Sequence, residues 1–231
     1  MVGGFPCQSF SIAGKRRGFD EARGTLFFEI ARILRVKRPR CVVLENVKGL
    51  LSHDGGKTFQ VILKVLSDIG YGVEWQVLNS KNFGVPQNRE RVFIVGHLRG
   101  TSRPEVFPIG ESSSRNIKPQ KETQGERQRI RSDVASTLAQ RDYKGGNNLL
   151  DDGAKIRRFT PTECERLQGF PDGWTELGVI HNTQEYIKKC ALKGKVPEEY
   201  VVKKISDTQR YKCLGNAVTT NVITAIFNKI I

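Results

Sequence analysis

Residues 41–46 read CVVLEN, and the reading of this short run decides the fold. An apolar stretch rich in β-branched residues that ends in polar ones is the mark of a strand buried on both faces. Upstream, GTLFFEIARILRVKRP (24–39) sets Leu26, Ile30, Ile33 and Leu34 at helical spacing, and Pro39 closes the helix. Downstream, a second helix over residues 57–69 places Val61, Ile62, Val65, Leu66 and Ile69 on one face and stops at Gly70. EWQVLNS (74–80) and RVFIVGHL (91–98) read as further strands. Helices alternating with buried strands predict an α/β sheet with crossover helices.

Composition narrows the function. A chain of 231 residues holds one substantial domain, or one domain and a small appendage. A hydrophobic content of 38%, with two Trp and twelve Phe, excludes a disordered chain. The formal net charge of +14 points to a polyanionic partner, nucleic acid being the commonest. A membrane surface would need a basic amphipathic helix with a clean apolar face, and none is found. No apolar stretch approaches the roughly 20 residues of a spanning helix, and the first residues lack the apolar core of a signal peptide. The cysteines, Cys7, Cys41, Cys164, Cys190 and Cys213, are odd in number and form no C-x-x-C pair, and His53, His97 and His181 are scattered. That argues against structural zinc and for a reducing, cytoplasmic setting.

From residue 99 to 155 the periodic pattern breaks, and residues 99–133, rich in Arg, Lys, Ser, Gln and Pro, read as a loop-rich or disordered segment. RRFTPTECERLQGF (157–170) restarts a helix, with Thr160 as its cap, Glu163 reaching back and Pro161 in the first turn. A final helix is predicted from near Asn216 to the end, with Val218, Val222, Ile226 and Ile230 in line.

The opening GGFPCQSFS (3–11) presents Cys7 on a turn made by Gly3, Gly4 and Pro6, although a buried, inert cysteine is the plainer reading of that stretch alone. Open α/β sheets bind ligands at the carboxyl ends of their strands. Cys7, the Glu45–Asn46 pair and the arginines of QNRER (87–91) are therefore expected to converge on one crevice. A thiol, a carboxylate and paired arginines are chemically coherent, and without a strand-end histidine they are no Cys-His hydrolase set.

Five strings taken in order, GGFPCQSFS, ENVKGLL, QNRERVFIVG, RRFTPTECERLQGFPDGW and YKCLGNAVTTNV, resemble the successive signature blocks of the DNA cytosine-5 methyltransferases. The resemblance covers nearly the whole chain. It implies a Rossmann-like S-adenosylmethionine-dependent methyltransferase fold lacking its first strands, with a small target-recognition region. It also implies methyl transfer to carbon 5 of cytosine in duplex DNA, through a covalent cysteine adduct and base flipping. Cys7 then resembles the attacking nucleophile, and Glu45 the glutamate that holds the ring through N3 and the exocyclic amine. Asn46 supports the turn, and Arg91 resembles the arginine at the ring's O2. For Arg89 a functional and a structural role stand level. In the segment beside Cys7, Gln8, Ser11, Lys15, Arg16, Arg17 and Arg23 are expected to meet DNA, as are Arg141 and Lys144 in the recognition region.

The methyl donor marks a departure from the family. Complete members open with a strand and a Phe-x-Gly-x-Gly type loop that cradles S-adenosylmethionine, and this sequence starts at the cysteine block. Pro6, Leu26, Asn216, Ala217 and Val218 match positions on the other side of that pocket. The domain reading is a catalytic α/β portion over 1–98, target recognition over 99–157, and a C-terminal portion over 158–231 whose last helix returns to the catalytic domain. Two readings are favoured jointly because Cys7, Glu45 and Arg91 are all intact, one half of a split enzyme whose partner chain carries the cofactor loop and a fragment of a longer enzyme; an inactive remnant that binds DNA is the alternative. A transfer-RNA methyltransferase shares the same chemistry. A bacterial, archaeal or phage-infected cell and a restriction-modification setting fit the family.

Overall fold

A computed structural model of the chain describes residues 1–6, 25–102, 104–109, 134–140, 142–144, 149–151, 156–181 and 200–231. The chain divides into two compact units, residues 1–83, 89–115 and 222–231 in the first and residues 84–88 and 116–221 in the second.

The first unit is built on a four-stranded sheet. Its strands are β1 (Val2–Gly4), β2 (Cys41–Val47), β3 (Tyr71–Asn79) and β4 (Glu90–Leu98), in the order β1-β2-β4-β3. β1 pairs parallel with β2, Gly4 lying opposite Glu45, while β4 is antiparallel to both its neighbours. The sheet is thus mixed: β4 runs against three strands that share one direction. Two crossovers through α1 (Thr25–Lys37) and α2 (Lys57–Asp68) keep β1, β2 and β3 in one direction. Only residues 80–89 join β3 to β4, with no crossover helix, so the chain turns back.

The core lies between these helices and the sheet. On α1 the buried stripe is Phe27, Ala31 and Leu34 with Ile30 beside it, and Phe27 meets Phe5 at a ring separation of 5.3 Å. Leu26 and Ile33, expected on that face, are exposed, because the stripe runs one residue out of step with the predicted one. On α2, Phe59, Ile62 and Leu66 are buried, and Ile69 packs just past the helix end, where Gly70 turns the chain at φ 101°.

Part of the predicted loop region is pinned down. Residues 104–109 run alongside β3, with Val106, Phe107 and Ile109 buried. The Glu74 carboxylate accepts the backbone N–H groups of Val106 at 3.2 Å and Phe107 at 3.0 Å, and the Gln76 side-chain carbonyl accepts that of Ile109 at 2.9 Å. Residues 110–133 lie outside the described set.

In the second unit, α3 (Pro161–Leu167) starts on the capping box read from the sequence: Thr160 Oγ1 accepts from Glu163 N at 3.2 Å and Glu163 accepts from Thr160 N at 2.6 Å. Cys164 and Leu167 join Ala135, Leu138 and Leu214 in its core. Glu165 is fully buried and accepts from Gly173 N, Thr175 N, the Thr175 hydroxyl and the Arg210 guanidinium. Burial pushes its pKa up, but these donors outweigh it and hold the carboxyl below its ordinary range. Glu165→Ala strips the nearer anion from the mostly buried Arg210, leaving it only the exposed Asp207 at 3.7 Å, and chemical denaturation is expected to show a loss of about 3 kcal/mol.

The predicted single C-terminal helix is two helices, α4 (Asp207–Asn216) and α5 (Thr220–Ile230), so Val218 falls in the break between them and off the Val222–Ile226 stripe. The buried Gln168 amide accounts for the break. Its Nε2 donates to Leu214 O at 2.8 Å and Ala217 O at 3.4 Å, and its Oε1 accepts from Thr219 Oγ1 at 2.8 Å. Carbonyls that a continuing helix would have bonded are satisfied from the side. Gly215 is required where residues 139–140 cross α4, since a Cβ there would lie 2.3 Å from Gln140 N. The antiparallel pair β5 (Leu149–Asp151) and β6 (Ile156–Arg158), and the antiparallel pair β7 (Leu177–His181) and β8 (Tyr200–Lys204), complete the described strands.

Candidate active site

The end of β2 and the start of β4 lie side by side, with Val47 opposite Arg91 and Glu45 opposite Phe93. That register sets two side chains of opposite charge diagonally across one face. Arg91 Nε lies 2.9 Å from Glu45 Oε1, and the two side chains are only 15% and 20% exposed. Gly4 stands opposite Glu45 on β1, where a Cβ would come within 3.4 Å of the carboxylate, so glycine leaves that oxygen room.

Electrostatics at the pair are set by burial. Desolvation raises the Glu45 carboxyl above its ordinary range, against the pull of Arg91 and then Arg89. The same burial lowers Arg91, which Glu45 partly offsets. Arg89 is 3% exposed, and burial together with the charge of Arg91 brings it down to about 10. The three groups form a small, poorly hydrated charge cluster in which a carboxyl keeps its proton more readily than in water.

Asn46 faces the other way and is buried. Its Nδ2 donates to Phe5 O at 2.7 Å, and its Oδ1 accepts from Val47 N at 2.9 Å. The amide therefore ties the backbone two residues before Cys7 to the strand that carries Glu45. Asn46→Ala removes both of these hydrogen bonds, and thermal unfolding is expected to show a cost of about 0.5–1.5 kcal/mol for each.

The structure brings Glu45, Asn46, Arg89 and Arg91 together within the first unit. Cys7, Gln8, Ser11, Lys15, Arg16, Arg17, Arg23 and Arg141 lie outside the described residues. Pro6 and Leu26 are exposed residues of the first unit, whereas Asn216, Ala217 and Val218 belong to the second, at the end of α4 and in the break after it. Lys144 is exposed on the short 3₁₀ turn Asp142–Lys144, its Nζ 5.6 Å from the Tyr143 ring centre.

Sequence reading missed Lys48, whose ammonium holds both Glu90 carboxylate oxygens at 3.0 Å and bridges β2 to β4 beside the site. The pair is exposed and worth little by itself, and only the strand register could have revealed it. Missed too were the buried amides Gln87 and Gln168, the first donating to Leu167 O at 2.8 Å and accepting from Leu138 N at 3.1 Å. A cavity of about 620 Å³ opens elsewhere in the first unit, between β3 and residues 105–108, and is lined by none of the candidate residues. Among the described residues no cluster of three or more His, Cys, Asp and Glu could hold a metal ion, and no helix is long and apolar enough to cross a membrane.

Comparison with known proteins places this geometry. The family model for C-5 cytosine-specific DNA methylase matches residues 1–151 and 105–190. The type II methyltransferase M.SsoII of Shigella sonnei is 35% identical over 266 aligned positions, covering 100% of this chain and 63% of its own length. M.NlaX of Neisseria lactamica is 36% identical, covering 98% of this chain and 74% of its own length. The chain therefore belongs to the C-5 cytosine-specific DNA methylase family. It spans 63% and 61% of the lengths of M.SsoII and of M1.ScrFI from Lactococcus lactis subsp. cremoris. Among solved structures, the Dnmt2 methyltransferase of S. pombe superposes with a TM-score of 0.64 at 18% identity, covering 99% of this chain and 77% of that one. That likeness fixes the fold as the α/β methyltransferase fold over nearly the whole chain.

Proposed function

We propose that this chain carries the base-activating machinery of a DNA cytosine-5 methyltransferase of the type II restriction-modification kind. The observation that carries the reading is the largely desolvated Glu45–Arg91 pair, joined through Asn46 to the backbone that leads to Cys7.

Carbon 5 of cytosine is a weak nucleophile, so the ring must first be turned into an enamine. In this reading the Cys7 thiolate adds to carbon 6, forming the C–S bond while the ring's electrons shift toward N3. Glu45 faces N3 and the exocyclic amine, and its raised pKa suits a carboxyl that places a proton on N3 as charge builds there. Arg91 donates to O2 and, paired with Glu45, fixes the direction of that carboxyl. After carbon 5 gains its substituent, its proton leaves and the C–S bond breaks, which restores the aromatic ring and the thiolate. Arg89, almost fully buried, supports the charge balance of the pair.

S-adenosylmethionine supplies the electrophilic methyl group when bound. Pro6 and Leu26, exposed apolar residues of the first unit, would contact it in this reading, and Asn216, Ala217 and Val218 are candidates by the resemblance alone. Duplex DNA is the proposed substrate, with the target base flipped out of the stack. Lys15, Arg16, Arg17, Arg23, Arg141 and Lys144 supply positive charge for its backbone, with Gln8 and Ser11 beside the nucleophile. Residues 99–157 are proposed to recognise the target.

The test is transfer of labelled methyl groups from S-adenosylmethionine to cytosine-containing duplex DNA, by the chain alone and with the polypeptide encoded immediately upstream. Transfer in either arm that is lost in Cys7→Ala supports the reading. No transfer in both arms, with DNA binding unaffected by Cys7→Ala, supports a DNA-binding remnant instead, and transfer to RNA alone reassigns the substrate.

A further inference from the structure

We infer that Lys144, Arg158 and Lys212, gathered around Tyr143, form one built phosphate clamp for the DNA backbone. This rests on the DNA-substrate reading above, which already includes Lys144, and extends it to Arg158 and Lys212 and to the tyrosine that gathers the three.

The cluster is assembled from three separate parts of the chain, all in the second unit. Tyr143 and Lys144 sit on the 3₁₀ turn, Arg158 ends β6, and Lys212 lies midway along α4. Lys212 Nζ is 5.2 Å and Lys144 Nζ 5.6 Å from the centre of the same tyrosine ring. Arg158 Nη1 donates to the backbone carbonyl of Tyr143. One residue thus organises three cations, two through its ring and one through its carbonyl.

Their lack of counter-charge distinguishes them from their neighbours. Arg157, adjacent to Arg158, is held by both carboxylate oxygens of Glu163 at 2.9 Å, and Arg166, Lys204 and Arg210 pair with Asp172, Glu176 and Glu165. Among the described residues neither Lys144, Arg158 nor Lys212 has a carboxylate partner. The nearest acid in sequence, Asp142, turns its carboxylate to Ala139 N at 2.9 Å. Bringing three like charges together opposes folding, and a neutral ring relieves only part of that repulsion. An anion with oxygens spread over several ångströms relieves the rest, and a phosphodiester backbone presents such an anion at every nucleotide. Lys144 and Arg158 are exposed and Lys212 half-buried, so the clamp meets solvent while its lysines keep a fixed platform. A phosphate contact of this kind positions the duplex without reading its bases.

The experiment is equilibrium binding of the full chain to mixed-sequence duplex DNA as a function of salt. The variants are Lys144→Gln, Lys212→Gln and the triple Lys144→Gln/Arg158→Gln/Lys212→Gln, with Lys64→Gln as control, since Lys64 is an exposed α2 lysine paired with Asp68. The slope of log affinity against log salt is expected to fall by about 0.9 for each phosphate that is no longer neutralised, equally across sequences, with the control matching the parent. Lys144→Gln, which removes one exposed ammonium with no ion pair, keeps the test open should the triple variant fail to fold. An unchanged slope in Lys144→Gln and in Lys212→Gln overturns the proposal, as does a loss confined to one DNA sequence. Methyl transfer is read separately. A clamp-dependent slope without transfer by any arm sinks the enzyme reading and keeps the clamp; transfer with unchanged slopes does the reverse.

Discussion

Cys7→Ala is expected to abolish methyl transfer while leaving the fold and the DNA affinity close to the parent's. Among the described side chains at the Glu45–Arg91 pair, a carboxyl, an amide and two guanidiniums, none has the soft nucleophilicity of a thiolate. Without covalent addition at carbon 6 the ring remains an amidine-like aromatic system, and carbon 5 has no electron pair to offer an electrophilic methyl group. Cys7→Ser keeps the shape but replaces a thiol, with pKa near ~8.5, by a far weaker acid, and is expected to be inactive as well. Single-turnover transfer with labelled methyl donor, set beside thermal unfolding of each variant, separates lost chemistry from lost structure. Transfer by Cys7→Ala at the parent's rate removes the covalent mechanism.

The second large effect falls on Glu45→Gln. Glutamine retains an oxygen and an amide at the same place but neither delivers a proton nor carries the charge that balances Arg91, and the expected loss in the single-turnover rate is about 100- to 10,000-fold. The same substitution removes the negative charge nearest Arg91 and close to the buried Arg89, so the rate is read below the variant's own Tm. Stability has a separate pH signature. Because burial raises Glu45 in the folded chain, the native state keeps its proton to a higher pH than the unfolded one. That contribution to stability is fully present below the unfolded value, near ~4.3, and is lost as pH rises through the folded value. Unfolding free energies of parent and Glu45→Gln across that window are expected to differ in slope. Parallel curves would contradict the buried, raised carboxyl.

Much of this was legible in the sequence because it rests on local chemistry. Val42, Val43 and Leu44 are buried at the centre of β2 because successive apolar residues leave neither face solvated there, and the Thr160–Glu163 box starts α3 because both partners lie within one turn. The meeting of Glu45 and Arg91 was readable as a convergence of strand ends. Its geometry was not, since the 2.9 Å contact depends on β4 running antiparallel, and only the short 80–89 connection dictates that. The stripe of α1 was misread by one residue because Leu26 and Ile33 are as apolar as the positions that pack; what selects Phe27 is its partner Phe5. The break after Asn216 is made by Gln168, far away in sequence, and the strap 104–109 is held by Glu74 and Gln76. Polar side chains that bond distant backbone leave no periodic trace. For the same reason Lys212 drew no attention until the fold set it over Tyr143.

The central claim is that Cys7, Glu45 and Arg91 together activate cytosine, and it has a test that depends on no methyl transfer. Addition of a thiolate at carbon 6 makes carbon 5 basic, so solvent can protonate it there. Elimination then releases either hydrogen and regenerates cytosine, exchanging the original one. The measurement is release of tritium into water from duplex DNA labelled at carbon 5 of cytosine, by the full chain and by its Cys7→Ala and Glu45→Gln variants. The account predicts release by the parent, none with Cys7→Ala, and a strongly reduced rate with Glu45→Gln. Parent-level release by Cys7→Ala, or no release by a parent chain shown to bind the same duplex, would contradict it.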